Sequence, residues 1–360
     1  MTSTLRAVVI GLAASLAACL PVCSAAAQEI AAPDPTLVSY ASTKDSVRLP
    51  DGRTIHLVCM GQGSPTVILL AGVIDWSIAW NKVQPAVAAK TRVCSWDRAG
   101  LGLSDPLTEP QMVDATTADL EAALTAARID GPYVLVGHSV GAYESLLFAD
   151  NHRSQVAGMV LVDPQYPDEV RLMSRLTPAL TEFSTPRENP FVELLKRCAA
   201  GLRTGAIRKG GPDPEGCLIP QWPSSYPPEL TAALNQRLAS ASPDAIASAM
   251  DTLAAINSLE LLDPNARMVV KPDRNYGSMP LIVLTAGKAN IPPDLPEAVQ
   301  AEIPISEAEW RRAHRELAAL STRGVNRIIT ESMHDIPHQD PQAVIDAILE
   351  VVDAIRSSRR

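Results

Sequence analysis

The chain has 360 residues, of which 46% are hydrophobic and 20% charged, enough to bury the core of one large domain. Its formal net charge at pH 7 is -9 and its pI is about 5.2. An acidic surface disfavours nucleic acid and anionic membrane surfaces as partners.

The first 27 residues have the pattern of an export signal and are left out of the predicted fold. Arg6 supplies the positive charge, Ala7–Leu20 the apolar run, and Ala25–Ala27 a cleavage pattern before Gln28. The stretch that ends at Cys19 resembles the lipobox of bacterial lipoproteins, in which the cysteine becomes the lipidated N-terminus. Both interpretations predict export, to the periplasm or the medium. The complete alanine-rich cleavage region favours the soluble form.

Four cysteines remain after the leader, an even number for an oxidising compartment, and they allow three pairings. Cys59 ends one predicted strand and Cys94 lies in another, whereas Cys198 and Cys217 lie close together in a segment that we interpret as rich in loops. These positions favour the disulfides Cys59–Cys94 and Cys198–Cys217. The alternative is that the four are small buried thiols.

Apolar strands alternate with helices in the first half of the chain, a pattern typical of a parallel sheet with both faces covered. In chain order we predict two strands at Ser46–Leu49 and Arg53–Cys59, a strand at Thr66–Leu70, a helix at Ile78–Lys90, a strand at Thr91–Trp96, a helix at Thr116–Ile129, a strand at Tyr133–Val136, a helix to about Asp150, and a strand at Val156–Val162.

The alternation stops between residues 165 and 279, where the chain is rich in proline and has helical pieces at Pro228–Ser240 and Pro243–Leu261. It then resumes with a strand at Leu281–Thr285, a helix at Ser306–Leu320, a strand at Val325–Ile329 and an amphipathic helix at Pro341–Ile355. We therefore predict an α/β core of residues 38–164 and 280–360, and a helical, proline-rich cap of residues 165–279 that covers the site.

The stretch Gly137–Gly141 reads G-H-S-V-G between a predicted strand and a predicted helix. Chance alone gives G-x-S-x-G in roughly one chain in ten of this length, so the context carries the prediction. A nucleophile elbow needs a strand before the serine, a helix after it, and glycines that permit the tight turn. We predict that Ser139 is a nucleophile; the alternative is an ordinary turn between a strand and a helix.

A serine nucleophile needs a base, and His334 and His338 both follow the last predicted strand, where catalytic loops gather. His334 comes first and is the favoured base, with His338 as the alternative. The two do not form a zincin helix, because Asp335 stands where glutamate is needed and Pro337 breaks the helix. His314 lies in a charged helix, and we expect it to be solvated.

The acid that orients the base is predicted to be Asp163, which follows the strand after the nucleophile. The loop after Leu281–Thr285 has no carboxylate before Asp294. The alternative role for Asp163 is to cap a helix or turn before Pro164. The oxyanion would be bound by the backbone N–H groups of Val140 and Val73.

These motifs resemble the α/β-hydrolase fold superfamily of serine hydrolases. The resemblance rests on GHSVG, on SWDRAGLGLSD at Ser95–Asp105, on VLVDP at Val160–Pro164, on MHDIPHQDP, and on the order of Ser139, Asp163 and His334. It implies a doubly wound, mostly parallel sheet of about eight strands, in which the strands with Cys59 and Cys94 are neighbours. Two features depart from the family: Ala71-Gly72 replaces the common His-Gly, and the late-strand aspartate is missing.

The sequence therefore predicts an exported serine hydrolase that cleaves small-molecule carboxylic esters through an acyl-enzyme and needs no metal or organic cofactor. A serine nucleophile argues against the dehalogenases and epoxide hydrolases of this fold, which use aspartate. Two alternatives stay open: an amide or peptide hydrolase of the aminopeptidase type, which would need an acidic pocket for the amine, and a binding protein that has lost turnover.

Overall fold

The computed structural model describes residues 32–107, 111–184, 189–218, 222–256, 258–289, 291–292 and 294–358. The predicted export signal, with Cys19 and Ala25–Ala27, lies outside these residues. The described chain forms a seven-stranded, mostly parallel sheet covered by helices and a separate two-stranded sheet. The predicted α/β class is thereby confirmed.

The strands and helices follow one another in the alternating order that the apolar runs predict. The strands are β1 (Val47–Arg48), β2 (Thr54–Ile55), β3 (Leu57–Met60), β4 (Thr66–Leu70), β5 (Val93–Trp96), β6 (Tyr133–His138), β7 (Val156–Val162), β8 (Leu281–Ala286) and β9 (Gly324–Ile329). The helices are α1 (Gln84–Ala88), α2 (Val113–Ala126), α3 (Gly141–Asn151), α4 (Glu169–Leu176), α5 (Pro178–Ser184), α6 (Pro190–Thr204), α7 (Pro228–Ser240), α8 (Pro243–Ile256), α9 (Leu259–Met268), α10 (Glu297–Ala318), α11 (Ile336–Gln339) and α12 (Pro341–Ser357), with 3-10 helices at Pro35–Ala41 and Ser77–Trp80.

The large sheet has the order β3-β5-β4-β6-β7-β8-β9, and β3 alone runs antiparallel to its neighbour. The sheet therefore has seven strands rather than about eight, because β1 and β2 pair only with each other. His56 separates β2 from β3: its backbone N–H donates to Ser104 Oγ at 2.8 Å instead of continuing a ladder. Its imidazole is fully buried, and His56 Nδ1 lies 2.9 Å from Asp97 Oδ2.

Alternate residues of the central strands enter two different apolar cores, as expected for a sheet with period-two side chains. Val67, Val134 and Val160 pack on one face with α1 and α12. Ile68, Leu135 and Leu161 pack on the other face with α2, α3 and α10. Both faces of the sheet are thus buried. The edge available for a functional site is the one at which the parallel strands end.

Residues 165–279, here called the helical segment, connect β7 to β8, which are neighbours in the sheet. Their described part contains helices α4 to α9 and no strand. The predicted helix Pro228–Ser240 has those bounds, whereas the predicted helix Pro243–Leu261 is divided into α8 and α9. Several apolar clusters join the segment to the core. In two of them Val113 and Tyr143 pack with Leu262 and Val170, and Leu37 and Tyr40 pack with Leu230 and Leu234.

Both favoured cysteine pairs are bonded in the structure. Cys59 and Cys94 are direct partners in the β3–β5 ladder, with Cα atoms 4.1 Å apart. Cys198 and Cys217 are bonded with Cα atoms 5.6 Å apart. The segment with these two cysteines, interpreted as rich in loops, is helical at Cys198, which lies on the buried face of α6, whose first turn is capped by Asn189.

Helix α10 begins at Glu297, well before the predicted Ser306, because the helix continues through Pro304. The remaining late elements lie within a few residues of their predicted bounds. None of the helices in the described part of the chain is long and apolar enough to cross a membrane.

Candidate active site

Ser139 lies on a strained turn between β6 and α3. Its φ is 53°, in the left-handed region that a residue with a side chain rarely adopts. The turn is fixed from both sides, because the Ser139 N–H donates to Val162 O at 3.1 Å and the Ser139 carbonyl accepts from the Gln165 N–H at 3.1 Å. The Ser139 hydroxyl makes no hydrogen bond with the residues that the structure describes, so it is unengaged at this turn.

The two flanking glycines are required by close approach rather than by their own φ angles. A Cβ on Gly141 would collide with the carbonyl oxygen of Leu70 and stand 2.8 Å from that of Ala71. A Cβ on Gly137 would stand 2.5 Å from Ser145 Oγ and collide with the carbonyl of Gly141. The start of α3 therefore packs directly on the ends of β4 and β6, which is the geometry of a nucleophile elbow.

Asp163 follows β7 at the same edge of the sheet as Ser139, because β6 and β7 run parallel with His138 opposite Val162. It is 2% exposed, and its φ of 39° also lies in the left-handed region. Asp163 Oδ2 accepts from His334 Nδ1–H at 2.7 Å. Asp163 Oδ1 accepts from the Ala286 N–H at 2.8 Å and from Trp310 Nε1–H at 3.0 Å. Both oxygens are therefore held in place.

Asp163 and His334 each shift the pKa of the other toward the charged form. Burial alone would raise the pKa of Asp163, but the hydrogen bond and charge of His334, with His314 and the Ala286 N–H, lower that pKa to about 2. Burial alone would lower the pKa of His334, but Asp163 and then Asp335 raise it above its usual value. When neutral, His334 keeps its proton on Nδ1 and leaves Nε2 as an acceptor.

His338, the alternative base, is not joined to Asp163. Its Nδ1 lies 2.8 Å from Asp335 Oδ1, and its carbonyl oxygen accepts from Lys82 Nζ at 3.0 Å. Of the two histidines after the last strand, the structure thus brings His334 to the buried carboxylate.

His314 is fully buried, so the expectation that it is solvated is wrong. Its Nε2–H donates to Pro164 O at 2.8 Å, and its Nδ1 therefore accepts from the Thr285 hydroxyl at 2.8 Å. Trp310 and His314, four residues apart on α10, both contact the ends of β7 and β8: Trp310 at Asp163, and His314 at Pro164 and Thr285. That spacing is the signal by which the sequence could have placed both residues beside Asp163.

His138 supports the loop that carries His334. Its Nε2–H donates to the carbonyl oxygen of His334 at 2.9 Å, and the two rings lie 4.9 Å apart between centroids. Burial, together with the charge of His334, lowers the pKa of His138 to about 4. His138 is therefore neutral at pH 7 and adds no second positive charge beside His334.

The loop after β4 is held by a buried ion pair that the sequence analysis did not predict. Arg98 Nε and Nη2 donate to the two carboxylate oxygens of Glu144 at 2.6 and 2.9 Å. Arg98 Nη1 donates to Gly72 O at 2.6 Å, and Nη2 donates to Ala71 O at 2.7 Å. The position of Arg98, just after a strand and inside a stretch that resembles the family, was the available signal.

Val73 and Val140, whose N–H groups are the two predicted oxyanion donors, both line one pocket. Neither N–H donates a hydrogen bond to any residue within the described ranges. Val140 is the N-cap residue of α3, so the positive end of the helix dipole lies at its N–H. Two free backbone donors at one pocket wall are the arrangement that an oxyanion hole needs.

The pocket lies between the core and the helical segment and encloses about 610 Å³ of atom-free space, part of it open to solvent. The core contributes Val73, Val140 and the Arg98–Glu144 pair, and the helical segment contributes Thr252, Leu262 and Asn265. The sequence does not single out these three side chains, because nothing local marks which face of α8 or α9 meets the core.

Asp75 lies beside the site and was also missed. A Cβ on Gly72 would be 3.1 Å from Asp75 Oδ2 and 3.3 Å from His138 Nδ1, so both groups border the loop after β4. Burial, and then the charge of Asp335, raise the pKa of Asp75. Over the described ranges, no three His, Cys, Asp or Glu side chains come together in a way that could hold a metal ion.

Comparison with known proteins gives matches over parts of the chain. The chain is 29% identical over 168 residues to a 2-hydroxy-6-oxononadienedioate/2-hydroxy-6-oxononatrienedioate hydrolase of Paraburkholderia xenovorans, and this match covers 44% of this chain and 58% of that protein. The chain is also 32% identical over 111 residues to the lipase LipV of Mycobacterium tuberculosis, and this match covers 31% of this chain and 41% of that protein. The chain spans only 16% to 58% of the length of the first curated relatives it matches.

Among solved structures, a mutant epoxide hydrolase from Bacillus megaterium matches with a TM-score of 0.53 and 15% identity, covering 86% of this chain and 99% of that one. A likeness at that identity concerns the fold alone. The model of the alpha/beta hydrolase family matches residues 67–347, which is well over half of the chain. The chain therefore belongs to the alpha/beta hydrolase family.

Proposed function

We propose that this protein is an exported serine hydrolase that cleaves carboxylic esters, with Ser139 as nucleophile, His334 as base and Asp163 as the acid that orients it. The observation that carries the proposal is the 2.7 Å hydrogen bond between His334 Nδ1 and Asp163 Oδ2. This bond lies at the edge of the sheet where the turn with Ser139 also lies. That bond leaves His334 Nε2 unprotonated and able to accept a proton.

In the first step, His334 Nε2 takes the hydroxyl proton of Ser139 while Ser139 Oγ attacks the ester carbonyl carbon. The carbonyl oxygen becomes an oxyanion, which the N–H groups of Val73 and Val140 bind. The imidazolium that forms is stabilised by the ionised Asp163, whose low pKa keeps it charged. His334 then gives its proton to the departing alkoxide oxygen, so the alcohol leaves neutral and the acyl group stays on Ser139.

In the second step, water gives a proton to His334 Nε2 and its oxygen attacks the acyl carbon. The same two N–H groups bind the second oxyanion. Collapse of this intermediate breaks the bond to Ser139 Oγ, which recovers its proton from His334, and the carboxylic acid is released. No step needs a metal or an organic cofactor.

The pocket supports an ester without a free amine over an aminopeptidase substrate. Its carboxylate, Glu144, is already neutralised by Arg98, so it offers no unpaired charge to an ammonium group. The similarity to LipV, named a lipase, agrees with ester cleavage. Epoxide hydrolysis, named for the structural neighbour, is disfavoured because a serine rather than an aspartate stands at the elbow.

We propose further that the helical segment is the predicted cap and that the protein is exported. The pocket wall formed by Thr252, Leu262 and Asn265 supports the cap. The disulfides Cys59–Cys94 and Cys198–Cys217 support an oxidising compartment, since cytosolic thiols are kept reduced.

A fluorophosphonate probe tests the nucleophile. We expect wild-type protein to be labelled at Ser139, and Ser139→Ala to lose both labelling and hydrolysis of p-nitrophenyl esters, by about 10³-fold or more. Ser145→Ala is the matched control, because Ser145 Oγ donates to Gly141 O and is buried in α3. An unlabelled wild type, or persistent labelling of Ser139→Ala, would contradict the assignment.

The pH dependence of kcat/KM tests the Asp163–His334 pair. The value of kcat/KM should rise with pH as His334 loses its proton. The midpoint of this rise should lie above pH 6.5, because Asp163 raises the pKa of His334. Asp163→Asn removes the negative charge, so the midpoint of this rise should move to lower pH, and the rate should fall roughly 10²- to 10⁴-fold. Asp335→Asn removes a charge that does not touch His334 Nδ1, so it should move the midpoint less and keep most of the rate. A rate for Asp163→Asn within threefold of wild type would reject Asp163.

Export is tested by N-terminal sequencing and mass spectrometry of the protein made from the full chain in a bacterial host. We expect a start at Gln28 for soluble export, or a lipidated Cys19 that is lost in Cys19→Ser. Recovery of the whole chain from the cytoplasm with Met1 retained would contradict export.

A further inference from the structure

The pocket at the proposed oxyanion donors has a largely apolar wall. Leu101, Leu107 and Val113 line it from the core, and Leu262 lines it from α9. Such a surface accommodates a hydrocarbon part of a substrate but does not by itself select among substrates of similar size. Selection therefore depends on the few polar groups in the wall.

Most of those polar groups are already engaged within the protein. Arg98 and Glu144 bind each other, and Arg98 also donates to the carbonyls of the loop after β4. The Thr252 hydroxyl donates to Ser248 O at 2.9 Å, and the half-buried Gln111 donates from Nε2 to Asp119 Oδ2 at 2.8 Å. These contacts leave the apolar character of the pocket largely unchanged.

Asn265 differs from them. It is 6% exposed, and its Oδ1 accepts from the N–H of Val113, the first residue of α2, at 2.8 Å. Because a backbone N–H can only donate, this contact determines which end of the amide is oxygen. Nδ2 is therefore the free end, and it donates to no residue in the described part of the chain. Asn265 lies three residues after Leu262 on α9, and both side chains line the pocket.

Because Asn265 lines the pocket, its two unused N–H groups are open to a molecule that enters it. Resting on the proposed ester hydrolysis, we propose that Asn265 Nδ2 is a substrate-recognition group: it donates to a carbonyl or ether oxygen carried by the part of the ester that fills this pocket. The substrate class is then an ester with a second hydrogen-bond acceptor, rather than a plain alkyl ester. The helical segment would thereby set specificity through a single side chain.

Binding to the Ser139→Ala protein tests this recognition without turnover. Titration calorimetry compares two matched pairs: ethyl hexanoate with ethyl 5-oxohexanoate, and hexyl acetate with 5-oxohexyl acetate. The pairs place the acceptor on the acyl side or on the alcohol side. In at least one pair we expect the oxo ester to bind about tenfold more tightly, the effect of one hydrogen bond.

Adding Asn265→Asp should abolish that preference, because the aspartate still accepts from the Val113 N–H but has no N–H to donate. Asn235→Asp is the matched control: Asn235 lies on α7, is exposed, and accepts from Trp222 Nε1–H at 2.8 Å, so the preference should persist. Equal binding within both pairs, no binding of any of the four esters, or a preference that survives Asn265→Asp would overturn the proposal. Ester turnover by wild type is scored separately, so failure of the reaction and failure of the recognition are distinguishable.

Discussion

The buried ion pair between Arg98 and Glu144 joins the three chain segments on which the site depends. Arg98 follows β5, Glu144 lies in the first turn of α3 after Ser139, and Arg98 also binds the carbonyls of Ala71 and Gly72 after β4. One planar guanidinium donates four hydrogen bonds in fixed directions, which a lysine could not do. The loop is held through its carbonyls, while the N–H of Val73 donates to no residue in the described part of the chain and Val73 lines the pocket.

The edge of the parallel sheet explains why residues from distant parts of the chain meet. Each strand from β4 to β9 ends at this edge, so whatever follows a strand there becomes a neighbour of the others. The groups brought together in this way are Val73 after β4, Arg98 after β5, Ser139 after β6, Asp163 after β7, Ala286 at the end of β8 and His334 after β9. The order of these groups across the sheet follows the order of the strands.

Of the three histidines His334, His138 and His314, the first can change its charge and the other two stay neutral. His334 contacts the ionised Asp163, which raises its pKa. His138 and His314 each donate one N–H to a backbone carbonyl, and burial lowers the pKa of both. A positive charge formed on His334 is therefore stabilised chiefly by Asp163 and is not opposed by a charge on His138 or His314.

The parts of the fold that the sequence predicts are those with local signals. The strand Val156–Val162 is a continuous apolar run bounded by an aspartate and a proline, and the strand–turn–helix around Ser139 has glycines that only a tight turn requires. His314 was misplaced because its partners, Thr285 and Pro164, are distant in the chain and the rest of α10 is charged. The helix at Cys198 was not predicted because the prolines around α6 obscured an apolar spacing that is regular.

The specific pocket wall could not be predicted for a related reason. Asn265 and Leu262 face the core only because α9 packs against α2 and α3, a contact fixed by the whole helical segment. The proposed oxyanion donors are backbone N–H groups, which leave no trace in side-chain chemistry. The central claim about how the site is built is that the Arg98–Glu144 pair fixes the position of these donors.

The most direct measurement of that claim is the rate of fluorophosphonate labelling in Arg98→Met, Glu144→Leu and the double variant, each alongside its free energy of unfolding. Each single variant leaves one buried charge unpaired and should lose about 3–5 kcal/mol of stability, part of which the double variant should recover. We expect labelling of the folded double variant to stay about 10² times slower than wild type, because the carbonyls of Ala71 and Gly72 have lost their donors. A double variant that is labelled at the wild-type rate would contradict the positioning role of the pair.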